Sequence, residues 1–219
     1  TIDIATPFDF GITYNSAPLV ADDNEAGWNL LGNPSPGTID WDRAGWTKTN
    51  VNDAIHYFRT SNQNPATYIA GVGVNGGSRR IPAGQGFWVQ ARDASPSLIA
   101  TQGVIVGQYP NLKDEDIVEN VLRITLAEDE IAIRLHEDAT EGFDAQIDAQ
   151  KFTAGGYNIY SMYGQEETIY SINALPLNAT SVPLFTGNEG EFSVSGIESF
   201  NGMYDIKLED LETGIITDL

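Results

Sequence analysis

The feature that most constrains this chain is the recurrence of side chains that alternate apolar and polar. In "MYDIKLEDL" (203–211), Tyr204, Ile206 and Leu208 point one way while Asp205, Lys207 and Glu209 point the other, as in an antiparallel sheet wet on one side. No segment offers a helical apolar stripe longer than about two turns. The expected fold is therefore all-β. Strands are read at 8–14, 28–31, 54–58, 67–70, 87–91 and 103–106, then at 121–126, 131–136, 157–163, 168–172, 182–185, 191–194, 203–208 and 215–216. Turn chemistry such as "NPSPG", "NQNP" and "VNGGS" falls between them. Turns spaced about 8–12 residues apart are the rhythm of a β-sandwich. The acidic stretch "PNLKDEDIVE" (110–119) reads as a junction between domains. The expected architecture is two tandem antiparallel β-sandwich domains, jelly-roll or Ig-like, at 1–109 and 110–219.

The 219 residues bury enough apolar surface to fold without covalent staples, and with no cysteine there is no disulfide, thiolate metal site or cysteine nucleophile. Neither a long apolar run nor a signal-peptide pattern occurs, so membrane insertion is not expected and any targeting signal is expected outside this segment. Against 31 Asp and Glu stand 11 Lys and Arg, a formal net charge of −20. Such a field repels phosphate backbones and anionic membranes and disfavours nucleic-acid and membrane-surface binding. It is the charge of a solvated, non-adhesive surface, or of carboxylates gathered around Ca²⁺.

For catalysis the sequence offers little. His56 in "AIHYF" and His136 in "IRLHED" lie alone in strand patterns, no G-x-S-x-G elbow is present, and the glycines of "AGVGVNGGS" (70–78) read as a hairpin loop and not a phosphate cradle. The chain is read as a non-enzyme. The best metal candidate is "HEDATEGFDAQIDAQKF", where Asp138, Glu141, Asp144 and Asp148 would offer oxygens to Ca²⁺; a solvated connection between strands is the other reading. A second acidic loop, "ADDNEAG" (21–27), is a weaker metal candidate and reads as a turn. Trp28, Trp41 and Trp46 cluster in "AGWNLLGNPSPGTIDWDRAGW" (26–46). Trp41 and Trp46 are the candidate ligand-binding residues, as rings that stack on a sugar, the alternative being a loop packed on its own large side chains.

The strings "GWNLLGNPSPGTIDWD", "GWTKTN", "AIHYF", "NGGS" and "IPAGQGFWVQA", with "LRITL", "IAIRLHEDATEGFDAQIDAQKF", "YSINALP" and "YDIKLEDLETGIITDL", span nearly the whole chain. Together they closely resemble a C-terminal region of large secreted surface proteins of the Bacteroidetes. The resemblance implies a pair of β-sandwich modules upstream of a sorting domain read by the type IX secretion system. It also implies a cell-surface, outer-membrane-associated location and a generic adhesin-like or stalk role toward a protein or glycan partner. Ser35 stands where that family often has Tyr, which argues against stacking by the "NPSPG" loop. The family continues beyond "TDL" with further strands, so the resemblance implies a last sandwich lacking a strand and open to edge-strand association. The runner-up function is a carbohydrate-binding accessory module of a secreted polysaccharide-degrading protein.

Overall fold

Alternating side chains need covered surfaces on which to sort, and among the described residues strands provide most of them, with short 3-10 turns at Gln102–Val104 and Ile197–Phe200. The computed structural model describes residues 7–15, 26–59, 64–106, 118–153, 158–164, 168–187 and 189–219. In chain order the first strands are β1 (Phe8–Asp9), β2 (Trp28–Gly32), β3 (Thr38–Asp40), β4 (Trp46–Thr49), β5 (Ile55–Tyr57) and β6 (Ala66–Ile69). They continue through β7 (Val72–Val74), β8 (Arg80–Ile81), β9 (Gly86–Gln90), β10 (Ser97–Ala100) and β11 (Ile105–Val106). The second half adds β12 (Val121–Leu126), β13 (Asp129–Leu135), β14 (Ala149–Gln150), β15 (Ile159–Ser161), β16 (Tyr170–Leu175), β17 (Leu184–Thr186), β18 (Phe192–Ser195), β19 (Lys207–Glu209) and β20 (Ile216–Asp218). The all-β fold read from the alternation is the one found. Among the described residues no helix is long and apolar enough to cross a membrane.

The first half holds a five-stranded sheet ordered β2-β9-β5-β6-β7 and two three-stranded sheets, β1-β10-β4 and β11-β3-β8. The second half holds a seven-stranded sheet along β17-β15-β16-β13-β12-β18, with β14 also on β16, and a separate β19-β20 ribbon. Pairing is antiparallel throughout the named strands except between β13 and β16, which run parallel. Two hairpins close with two-residue turns, Ala70–Gly71 between β6 and β7 and Ala127–Glu128 between β12 and β13, each with both residues at positive φ. That conformation matches the twist of the flanking strands.

Several expected strands moved. The 8–14 strand shortens to β1 because Gly11 turns at φ 63° and the Asp9 carboxylate accepts its N–H. The 103–106 strand begins as a 3-10 turn over Gln102–Val104, and the 203–208 strand forms only from Lys207. Six short strands, β3, β4, β7, β8, β10 and β14, were not expected at all. Residues 110–117 of the expected junction, residues 21–25 of the second acidic loop and Tyr157 lie outside the described residues.

Side-chain parity explains how the halves meet. On β6, Tyr68 faces a first core with Ile39, Trp41, Ile55, Ile81 and Phe87, whereas its neighbour Ile69 faces away. On β12 and β13, Leu122, Ile124, Ile131 and Ile133 face a second core with Ile159, Leu175 and Phe200, whereas Val121 and Ala132 face away. The faces turned away meet each other. Ile69, Val72, Val74 and Ala54 of the first half join Val121, Ala132, Ala149 and Ile172 of the second in a third buried cluster. Small side chains here let the two sheets approach closely, and strands covered on both faces, such as β6 and β16, are buried at every position.

Polar groups seal the edge of this seam. The Asn75 side chain exchanges hydrogen bonds with Glu130, accepting its N–H at 2.7 Å while the Glu130 carboxylate accepts the Asn75 N–H at 2.9 Å. Asn75 Nδ2 donates to Asp129 at 3.0 Å, and Arg123 reaches both Glu130 and the Gly73 carbonyl. Phe152 completes the join. Its ring lies among Trp28, His56, Phe58 and Trp88 of the first half, with centroids between 4.8 and 6.0 Å away.

Candidate functional site

The segment "DWDRAGW" (40–46) leaves β3 and enters β4, and its backbone is held by its own side chains. The buried Asp40 carboxylate accepts the Asp42 N–H at 3.1 Å and pairs with Arg79 at 3.4 Å. Trp46 Nε1 donates to the Asp40 carbonyl and Trp41 Nε1 to the Asp53 carbonyl, at 2.9 and 2.7 Å. Gly45 has φ 126°, and a Cβ there would lie 2.6 Å from Thr101 Oγ1, so only glycine fits this close approach. The two indoles meet at a tilt, with centroids 4.8 Å apart.

On this frame opens a polar cleft of about 440 Å³, within the size range of small-ligand sites. Lys48 forms part of its wall, its ammonium 3.9 Å from the Trp41 ring centroid and 3.1 Å from Asp53 Oδ1. Burial lowers the Lys48 pKa, and the Asp53 carboxylate opposes that shift. Asp42 accepts a short hydrogen bond from the Tyr68 hydroxyl. Partial burial raises the Asp42 pKa, and the Tyr68 pKa is raised by burial and then by the carboxylate beside it. Arg43, Arg92 and Asn50 stand on the same cleft, and Gln146 joins it from the second half. That placement is fixed by the seam, because Asp53 N donates to the Ala145 carbonyl at 2.8 Å.

Of the two tryptophans expected to bind a ligand, Trp41 is 1% exposed and presents no open ring face, Lys48 lying over it. Trp46 is half-buried on the cleft wall. Sequence reasoning missed Asp42, Arg43, Lys48, Asn50, Arg92 and Gln146. The one signal available for them was their proximity to the tryptophan-rich stretch, and Arg92 and Gln146 lack even that.

The four expected calcium ligands are not brought together. Asp138 and Glu141 are exposed, Asp138 standing 4.0 Å from His136. Asp144 accepts from the backbone and hydroxyl of Thr140, at 2.6 and 3.1 Å. Asp148 is buried, and its two oxygens accept the N–H groups of Asp144 and Ala174, each at 2.7 Å. The crowded carboxylates thus brace the loop, and among the described residues no three acidic or histidine side chains converge as a metal site. The histidines are likewise structural. His56 is enclosed, with Nδ1 2.9 Å from Thr67 Oγ1, and burial pushes its pKa down to about 3. His136 Nδ1 accepts the Asp138 N–H at 3.1 Å.

No known protein family matches the chain, and no curated protein or solved structure does so either.

Proposed function

We propose that this chain is a non-catalytic extracellular module of a bacterial cell-surface protein, serving as a stiff adhesin-like or stalk segment carried to the surface by type IX secretion. The observation that carries the reading is the seam. Two halves that share a buried apolar cluster and are braced by the Asn75–Glu130 exchange make a spacer whose halves keep a fixed relation. Buried groups that could serve acid–base chemistry are occupied in holding the fold: His56 by Thr67, Asp148 by backbone N–H groups and Lys151 by Asp129, while on the cleft Asp42 is engaged by Tyr68 and Lys48 by Asp53. An acidic surface suits display in a crowded medium.

Two measurements test this. Backbone NMR relaxation should return one rotational correlation time for both halves; independent tumbling would remove the stalk reading. A panel of glycosidase, esterase and protease substrates should show no turnover. Saturable activity abolished by a single carboxylate substitution would overturn the non-catalytic assignment.

A carbohydrate-binding accessory role is the second reading, favoured by one observation. Trp46 shares the cleft with amide and charged side chains, the mixture that sugar hydroxyls and ring faces require.

A further inference from the structure

We infer that the cleft beside Trp46 binds an acidic saccharide, a hexuronate unit whose carboxylate is taken by Arg92. In a chain of net charge −20 the long-range field opposes anions, so an anion site needs a local gathering of cations. This cleft has one. Arg43, Lys48 and Arg92 converge on it against the carboxylates Asp42 and Asp53, which leaves the lining net positive in an otherwise acidic chain.

Their engagement differs in a way that singles out the ligand contact. Lys48 is paired with Asp53 and pinned on Trp41. Arg43 donates to the Ile105 carbonyl at 2.8 Å, a neutral acceptor that leaves its charge uncompensated. Arg92 is exposed, and its guanidinium makes no ion pair or hydrogen bond among the described residues. Its backbone is nonetheless fixed, since Arg92 N donates to the Asn50 carbonyl at 2.9 Å and the bridge between Val51 and Ala91 lies alongside. A planar fork on a fixed backbone at the mouth of a cleft is suited to bidentate capture of a carboxylate.

The remaining wall suits the rest of a sugar. Asn50 and Gln146 carry amides and Asp42 a carboxylate, groups that give and accept hydrogen bonds with ring hydroxyls, while the half-buried Trp46 offers an apolar edge. The inference supplies the ligand of the surface module and rests on the non-catalytic reading only in taking the bound sugar to be left intact.

The test is titration of the full chain with tetragalacturonate and with its fully methyl-esterified form, followed by calorimetry and by the indole N–H signals in NMR spectra. The acid should bind saturably and shift the Trp46 signal, and the neutral ester should bind about tenfold more weakly or worse, the factor expected for losing one charge-assisted contact. Added salt should weaken the acid alone. Arg92→Gln, an exposed substitution that should leave the melting temperature unchanged, should reduce affinity for the acid by about tenfold and leave the ester unaffected. Absence of binding, equal affinity for acid and ester, or an Arg92→Gln variant that binds as the parent does would each overturn the inference. Cleavage of the tetramer would support binding while overturning the non-catalytic reading.

Discussion

The ammonium of Lys151 lies 2.7 Å from Asp129 Oδ1, with the two side chains 2% and 0% exposed. The same carboxylate accepts from Asn75 Nδ2 across the seam and from the backbone N–H groups of Asn158 and Ile159. Burial lowers the Lys151 pKa and Asp129 opposes that shift. Lys151→Met would strand a buried carboxylate, a loss of about 3–5 kcal/mol. Lys207→Gln removes a pair whose side chains are 55% and 83% exposed and should cost under about 1 kcal/mol. Urea unfolding of the two variants checks the contrast; equal losses would show that the buried pair holds nothing together.

His56 predicts an acid-sensitive fold. Its folded pKa of about 3 lies below the ordinary 6.5, so the unfolded chain binds the extra proton. The stabilisation is complete above pH 6.5 and is lost as pH falls from there toward 3. Between pH 7 and pH 5 the lost contribution is about 2 kcal/mol. His56→Gln, which keeps a polar partner for Thr67, should show a correspondingly flatter dependence over that interval. Denaturant titrations at the two pH values decide it, and parallel slopes for parent and variant would place the acid sensitivity elsewhere.

Asp148→Asn tests what the acidic loop is for. Both carboxylate oxygens accept backbone N–H groups, so an amide NH₂ would face a donor. The expected cost is about 1–3 kcal/mol. Because the role is internal bracing, the loss should be the same with Ca²⁺ as with chelator at constant ionic strength. A loss seen only with Ca²⁺ would restore the loop as a metal site.

The β12–β13 hairpin carries avoidable strain. Glu128 sits at φ 66°, where an L side chain costs about 1–2 kcal/mol. Glycine relieves that but adds about 0.5–1 kcal/mol of unfolded-state entropy. Glu128→Gly should therefore raise stability by about 0.5–1 kcal/mol, read from the urea midpoint. A lower midpoint would mean that the glutamate side chain contributes something its backbone geometry conceals.

The sequence made the strand-dominated fold legible through alternation, most clearly in "VLRITL", where β12 occupies the expected 121–126 span. What escaped were strands of two to four residues, such as β3 and β4, which are too short for a period to register and lie among turn-forming residues. The seam was harder still. Ala54, Ala132 and Ala149 carry no apolar signal of their own, and their burial depends on which sheets meet, a non-local fact. In the cleft, Trp46 was visible because of its size. Arg92 and Gln146 lie far from it in the chain and reach it only through the β-bridge at Val51 and the Asp53–Ala145 hydrogen bond. The acidic loop misled because carboxylate density is the same whether the charges surround a cation or cap backbone N–H groups.

The parallel alignment of β13 with β16 has a mechanical side. Parallel neighbours cannot be joined by a tight turn, so the chain makes a long excursion between them. That excursion carries β14, Lys151 and the Phe152 ring that lodges in the first half. Closing the larger sheet and anchoring one half to the other are thus performed by the same stretch of polypeptide. Under tension applied across the chain, loss of either half would uncover the shared cluster and the Phe152 ring, so the two halves are expected to give way together. A single-molecule pulling trace of these residues should show one rupture and not a two-step staircase, the behaviour of a tether that holds fully until it gives way at once.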